Sequence, residues 1–448
     1  MVERYLSDNF APVRREITET DLPVIGELPR ELCGRYLRNG PNPIGDVDPA
    51  THHWFIGAGM VHGVRLDEGR AAWYRNRWVR SPEVLAALGE PPGERPLAGA
   101  NNTHVIGHAG RTWALVEAGS PPVELGEELD TVGVNAFFGT LTDGAFTAHP
   151  KPDPDTGDLH AIAYKWPDFA DHVQYVHVGR DGRVVRTVDV PVPGMVMIHD
   201  MNVTRNWVVI YDLPVTVDFD LVSRGMRFPF AWNADYAPRV GLLPRDGDAD
   251  DIVWCAVDPC FVFHPMNAYE DEAGRVVLDV CRYERMFARS AQGPLEDGNA
   301  TLDRWTIDPA TARVSTDRVF DGGCEFPRCA PALTGRPYRF GYSVAVEGDG
   351  FPAVNKHDLA TGAVTRHELG SGRHTAEPYF VPREGAAAED DGYLLSYVFD
   401  AQRGASELMV LDARDVAAPP LARVMLPARV PYGFHGAWIP DGAAGPSV

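Results

Sequence analysis

The chain has 448 residues, with 41 Lys+Arg against 63 Asp+Glu for a formal net charge of −22, and it is 44% hydrophobic and 23% charged. That balance belongs to a folded, core-burying protein and excludes global disorder. It also excludes a phosphate-binding surface, because polyanions release counterions only to clustered Lys and Arg, and no Lys/Arg run here exceeds two residues.

No nucleic-acid partner is therefore expected. Gly 44 and Pro 38 together make up almost a fifth of the chain, which leaves little room for long helices and implies many turns. Residues 1–23 carry charges every few positions and lack the apolar stretch of a secretory signal. No apolar run approaches the roughly 20 residues needed to cross a bilayer. Six cysteines stand at 33, 255, 260, 281, 324 and 329, and their spacings match neither a CxxC pair nor a zinc knuckle. Reduced thiols buried as small hydrophobes, and a cytoplasmic location, are expected.

In chain order, the first clear element is a short helix. Ser81 is placed to cap it, Pro82 and Glu83 open it, residues 84–88 are apolar and Gly89 ends it. The rest of the chain is a string of short β-branched and aromatic runs with turn chemistry at both ends. Examples are a hairpin over 177–186 turning on Asp181-Gly182, and strands within 206–212, 274–283, 392–399 and 407–412. Two acidic loops, 246–251 and 385–392, separate no compositionally different halves. Strands do not alternate with helical segments, so a parallel doubly wound sheet is disfavoured. A single all-β domain over 1–448 is expected. A propeller reaches this size naturally, with about six to eight four-stranded blades.

Four histidines recur in one context, an apolar run followed by His and then a turn. They are His149 in Ala145-Phe-Thr-Ala-His-Pro150, His199 in Met195-Val-Met-Ile-His-Asp200, His264 in Phe261-Val-Phe-His-Pro265 and His435 in Tyr432-Gly-Phe-His-Gly436. Each reads as an imidazole at the end of a buried strand. Their gaps of 50, 65 and 171 residues exclude a local metal loop. Only a circular fold, whose inner strands share an axis, brings four such strands together. Neutral imidazole suits Fe, Zn, Cu or Ni. A single buried His after a strand is ordinarily a hydrogen-bonded core residue, so the pattern alone leaves a shared metal site and independent core histidines both open.

Other chemistries lack their motifs. There is no H-E-x-x-H, no G-x-S-x-G and no G-x-x-x-x-G-K-[ST], and no His is followed two residues later by Asp or Glu. Gly57-Ala-Gly59-Met-Val-His-Gly63 has the wrong spacing for a dinucleotide loop and reads as a tight strand turn. Glu117, Glu325 and Glu377 lie in apolar runs, where a carboxylate needs a partner. An Arg is the ordinary partner; the N–H of a metal-bound imidazole is the sharper one.

With these residues in view, the chain resembles the carotenoid cleavage oxygenase family (carotenoid/retinoid and stilbene oxygenases) nearly end to end. The match runs through Asn9-Phe-Ala-Pro-Val13, Gly34-Arg-Tyr-Leu-Arg-Asn-Gly-Pro-Asn-Pro43, His53-Trp-Phe-Ile-Gly-Ala-Gly-Met-Val-His62, Tyr74-Arg-Asn-Arg77 and Ala100-Asn-Asn-Thr103. It continues through Ala148-His-Pro150, Ile198-His-Asp200, Phe263-His-Pro265, Glu325-Phe-Pro-Arg328 and Phe434-His-Gly-Ala-Trp438.

The resemblance implies a seven-bladed β-propeller with a loop and short-helix cap over one face, holding one non-haem Fe(2+) per chain. It implies His149, His199, His264 and His435 as ligands, with Glu117, Glu325 and Glu377 orienting the last three and Thr103 near the open side of the iron. The implied reaction is cleavage of a conjugated C=C bond by O2 to two carbonyl products, with no organic cofactor and the substrate supplying the electrons.

Two positions depart from the family pattern. Ala58 stands where many relatives have Asp, which should affect only the turn. Val116 stands where stilbene cleavers have a Lys that meets the substrate phenol, which favours a carotenoid or apocarotenoid over a stilbene or phenylpropene. A retinoid-type isomerase on the same iron, and a non-catalytic binding propeller, are the rival readings. Substrates of this kind partition into membranes. The apolar segment Met226-Arg-Phe-Pro-Phe-Ala-Trp232 is read either as a site of weak peripheral membrane contact or as a buried cap loop. The charge of −22 opposes attraction to anionic lipid, so any docking has to be hydrophobic.

Overall fold

The computed structural model describes residues 4–92 and 99–442. Its strands form seven antiparallel sheets of four to six strands, plus a two-stranded ribbon of Val215–Val217 with Phe230–Trp232. The innermost strands of the seven sheets stand side by side around one axis. They are His104–His108, Lys151–Pro152, Met201–Val203, Phe261–Glu270, Cys324–Cys329, Tyr379–Pro382 and Gly436–Pro440. This is the expected seven-bladed propeller.

The ring is closed by the two ends of the chain. Gly436–Pro440 pairs with Gly34–Pro41 from Arg38↔Gly436 to Gly34↔Pro440, and Val24–Gly26 pairs with Ala422–Met425. Closure by pairing leaves no blade to drift from the ring and no inner edge open.

Burial explains the composition. A middle strand such as Val276–Tyr283 is buried at all but one position, because each blade is sandwiched between two others, and it therefore reads as a continuous apolar run. Rim strands such as Val184–Pro191 and Arg313–Phe320 alternate or lie open to solvent. Helix is sparse. Pro82–Leu88 forms as expected, with Ser81 Oγ accepting the Val84 N–H at 3.3 Å and Gly89 closing it at φ 69°. Among the described residues no helix is long and apolar enough to cross a membrane.

Two expectations need correction. Three of the four histidines do not end a strand: His149, His199 and His435 lie just before Lys151–Pro152, Met201–Val203 and Gly436–Pro440, while only His264 lies inside one. The apolar runs that precede them are extended or irregular entry segments rather than strands. Of the six free thiols, four are buried, while Cys33 and Cys329 are half-buried.

Candidate metal centre

Irregular backbone at the inner strands aims the four imidazoles inward. Phe261–Glu270 shifts register between Val262 and Pro265 and again between Pro265 and Asn267. Pro265 has no N–H to give the ladder, so the strand bulges beside His264. After His435 comes Gly436, where a Cβ would collide with the Leu37 carbonyl; only glycine lets this segment run so close to Gly34–Pro41. The His435 N–H donates to the Thr103 carbonyl at 3.1 Å, which ties this histidine's segment to the entry of the inner strand His104–His108.

Among the described residues, one nitrogen from each of the buried His149, His199, His264 and His435 lies within 4.8 Å of the other three. Nitrogens about 2.1 Å from one ion stand at most about 4.2 Å apart, so the cluster is slightly wider than a closed site and the rings would draw in a little around a single first-row metal. His199 Nε2 and His264 Nε2 face each other at 3.0 Å. Both rings turn Nδ1 to a carboxylate, which favours the tautomer with its proton on Nδ1 and its lone pair on Nε2. Two lone pairs at that distance repel unless a cation lies between them. His149 Nε2 is buried with no protein partner. The donor set therefore fits a bound metal.

Each of the other three rings is backed by a glutamate, and each glutamate by a second donor. Glu117 takes His199 Nδ1 and the Tyr164 hydroxyl. Glu325 takes His264 Nδ1 at 2.5 Å, the Phe326 N–H at 2.5 Å and the Tyr283 hydroxyl at 3.2 Å. Glu377 takes His435 Nδ1 at 2.9 Å, Arg328 Nε at 2.7 Å and the Gly436 N–H at 3.2 Å. Thus Glu377 has both partners that the sequence offered, an Arg and an imidazole.

Burial sets the titration of these groups. It pushes Tyr164 and Tyr283 well above the usual phenol range, and Glu117 and Glu325 add to the effect, so both hydroxyls remain donors. Burial pushes the Glu377 carboxyl up, but Arg328 and His435 outweigh it and hold the group well below the usual carboxylate range. Burial, with the neighbouring rings, holds His149 well below the usual imidazole range.

A β-bulge between Glu325 and Arg328, with Phe326 at φ 50°, distributes side chains to the two sides of the cluster. Phe326 stacks on His264 with ring centroids 5.3 Å apart and borders a cavity of about 310 Å³. That cavity is walled by Trp54, Phe55, Phe228, Phe263 and Phe434, and Thr103 and Val116 also line it. Thr103 Oγ1 donates to Asn102 Oδ1 at 3.0 Å. Met226, Phe228 and Phe230 are buried, so this segment turns its large side chains inward. Arg328 instead borders a second, more polar cavity of about 100 Å³ on the other side of the histidines, with Lys151, Asp200, Asn202 and Asn267.

The sequence reading missed Tyr164, Tyr283, Lys151 and Asp200. The signal for the last two was in plain sight, since Lys151 follows His149 by two residues and Asp200 follows His199 directly. Nothing in the sequence ties Tyr164 to Glu117, 47 residues away.

The family model described as retinal pigment epithelial membrane protein matches residues 10–440. A carotenoid cleavage oxygenase of Mycobacterium tuberculosis is 46% identical, covering 97% of each chain. A carotenoid 9,10(9',10')-cleavage dioxygenase of Crocus sativus is 33% identical over 97% of this chain and 89% of its own length. Among solved structures, cobalt-substituted Synechocystis apocarotenoid oxygenase superposes with a TM-score of 0.86 at 29% identity, covering 96% of this chain and 97% of its own. Lignostilbene dioxygenase of Pseudomonas brassicacearum does so with 0.87 at 28% identity, covering 98% of each. With the four-histidine centre on the axis of the same propeller, the chain belongs to the carotenoid cleavage oxygenase family.

Proposed function

We propose that this chain is a non-haem Fe(II) dioxygenase that cleaves a conjugated C=C bond of a carotenoid or apocarotenoid-type substrate with O2. The alkene and O2 together become two carbonyl products, so no outside reductant and no organic cofactor enters the balance. The observation that carries this reading is the four-imidazole cluster with three of its rings, His199, His264 and His435, at the wall of the large aromatic cavity, where a long apolar polyene and a metal would meet.

His149, His199, His264 and His435 are the proposed ligands of one Fe(2+). Ferrous iron, when bound, supplies redox-active coordination for O2 beside the alkene. Everything else is positioning and dryness. Glu117, Glu325 and Glu377 fix the protonated Nδ1 of their rings and so leave each Nε2 as a ligand. Phe55, Phe228, Phe263, Phe326 and Phe434 exclude water and hold the flat polyene. Thr103, with its hydroxyl proton engaged by Asn102, offers the cavity an oxygen lone pair and a methyl group rather than an acidic proton.

Among the described residues, the cavity lacks the groups that a phenolic substrate needs. Val116 is apolar, and the exposed Arg227 is the one Lys or Arg among the described residues that line the cavity. A phenol therefore finds no buried cation there, whereas a hydrocarbon chain finds matching walls. The test is to incubate the iron-loaded protein under ¹⁸O2 with apocarotenoids, carotenes, stilbenes and phenylpropenes, and to weigh the products. Two labelled carbonyl fragments from a polyene are expected. A preference for phenolic stilbenes would overturn the substrate class. Products of unchanged carbon number formed without O2 would favour an isomerase. All substrates left intact would sink the enzyme reading.

A further inference from the structure

Three glutamates serve three histidines, and His149 has none. We propose that Asp200 is the carboxylate that orients His149 and that Lys151 sets the charge of this arm, which rests on the metal reading above. His149 turns its unpartnered Nε2 toward the cluster, its ring centroid lying 4.5 Å from that of His199 and 4.3 Å from that of His435. Its other nitrogen, Nδ1, lies 3.5 Å from Asp200 Oδ2. Both side chains are buried, at 4% and 3% exposure.

Asp200 is held by three further contacts. The Met201 N–H donates to Oδ1 at 2.6 Å, and Lys151 Nζ stands 2.8 Å from Oδ1 and 2.9 Å from Oδ2. The arm has the same order of parts as the other three, a ring nitrogen, a carboxylate and a donor behind it, but its ring–carboxylate contact is longer, 3.5 Å against 2.5 Å for His264 and 2.9 Å for His435. Asp is one methylene shorter than Glu, which accords with its attachment to the strand entry next door rather than to a more distant segment. The sum of formal charges supports it too. Glu117, Glu325, Glu377 and Asp200 bring four negative charges, Lys151 and Arg328 bring two positive, and the remainder matches one divalent cation. Asp200 is thus a positioning residue, acting through His149 rather than on substrate.

A plain salt bridge between adjacent blades is the competing account, and signs of effect separate the two. Metal-free full-length protein is titrated with Co(II), followed by visible absorption and by the metal-dependent rise in Tm. Asp200→Asn should weaken cobalt binding by about 10- to 100-fold and shift the absorption bands. Lys151→Met, which leaves the carboxylate un-neutralised, should bind cobalt as tightly as the wild type or several-fold tighter. The double variant Asp200→Asn/Lys151→Met leaves no lone buried charge, so it keeps the fold testable if the single change does not; it should bind weakly. Wild-type affinity and spectrum in the double variant overturn the proposal, as does equal weakening by the two single changes. A wild-type protein that binds no cobalt overturns the metal reading and this arm with it.

Discussion

The two sides of the histidine cluster are built differently. Toward the large cavity, Glu117 and Glu325 are backed by the phenols of Tyr164 and Tyr283; toward the small one, Glu377 and Asp200 are backed by Arg328 and Lys151. A phenol satisfies a carboxylate's lone pairs and leaves its charge; a cation satisfies them and removes it. The front carboxylates therefore keep the negative charge that a divalent ion needs, next to a cavity whose walls offer no competing cation in the interior. The rear carboxylates are neutralised where the surroundings are polar. An apolar substrate and a charged metal site coexist because the counter-charge is delivered through neutral donors on the substrate's side.

The largest expected effect comes from removing a proposed ligand shared by both sides. His264 borders both cavities, and its ring nitrogens meet Glu325 and His199. His264→Ala should lower metal content, measured by elemental analysis, and turnover by at least about 100-fold, beyond what loss of a carboxylate partner alone typically costs. Retention of stoichiometric iron would break the shared-site reading altogether.

Next are single changes that touch one side only. Glu325→Gln keeps the shape but removes a front charge, so metal affinity should fall by about 10- to 100-fold. Arg328→Met removes a rear cation and should act in the opposite sense on the metal, binding it more tightly, while it destabilises the metal-free protein. Loss of one partner of a buried pair costs roughly 3–5 kcal/mol. The Arg328 side chain is 26% exposed, so solvent screening reduces the expectation to about 2–3 kcal/mol, read by urea denaturation. If both variants weaken metal binding alike, the division into charged front and neutralised rear is wrong.

How much of this could be read beforehand depends on whether partners share a local pattern. The four histidines were legible because each follows an apolar run and is followed by Pro, Asp or Gly, a context that survives in the sequence. The placement of three of them before inner strands was not, since a strand as short as Lys151–Pro152 leaves no periodicity to read. The blade count needed the family resemblance, because sandwiched blades replace strand alternation with continuous apolar runs. Asp200 was hidden by adjacency: it follows His199 in sequence but faces His149, some fifty residues back. Lys151, two residues past a ligand, looks like a solvent-facing charge until the neighbouring blade is in place. Tyr283 belongs to the same blade as His264 yet supports a glutamate from the next, a relation that only closure of the ring creates.

The smallest effect tests the neutral-donor idea most directly. Tyr283→Phe removes one hydroxyl and leaves the ring, so packing against Phe263 at a centroid distance of 5.8 Å should persist. Glu325 Oε1 loses a 3.2 Å hydrogen bond, while Oε2 keeps His264 and the Phe326 N–H. A hydrogen bond to a charged acceptor contributes about 1.5–3 kcal/mol, and the length of this one puts it at the low end, so metal affinity should fall about ten-fold. The sign of the pH dependence is fixed by the same contact. Burial first, and then Glu325, raise the Tyr283 hydroxyl well above its ordinary value of 10.0, so it holds its proton through neutral pH and somewhat beyond. The deficit should therefore be constant from about pH 6 to pH 9 when variant and wild type are compared at each pH. A deficit that vanished toward the alkaline end would mean that the wild-type hydroxyl titrates there, and that the front of the site is backed by a group with an acid–base role rather than by a fixed neutral donor.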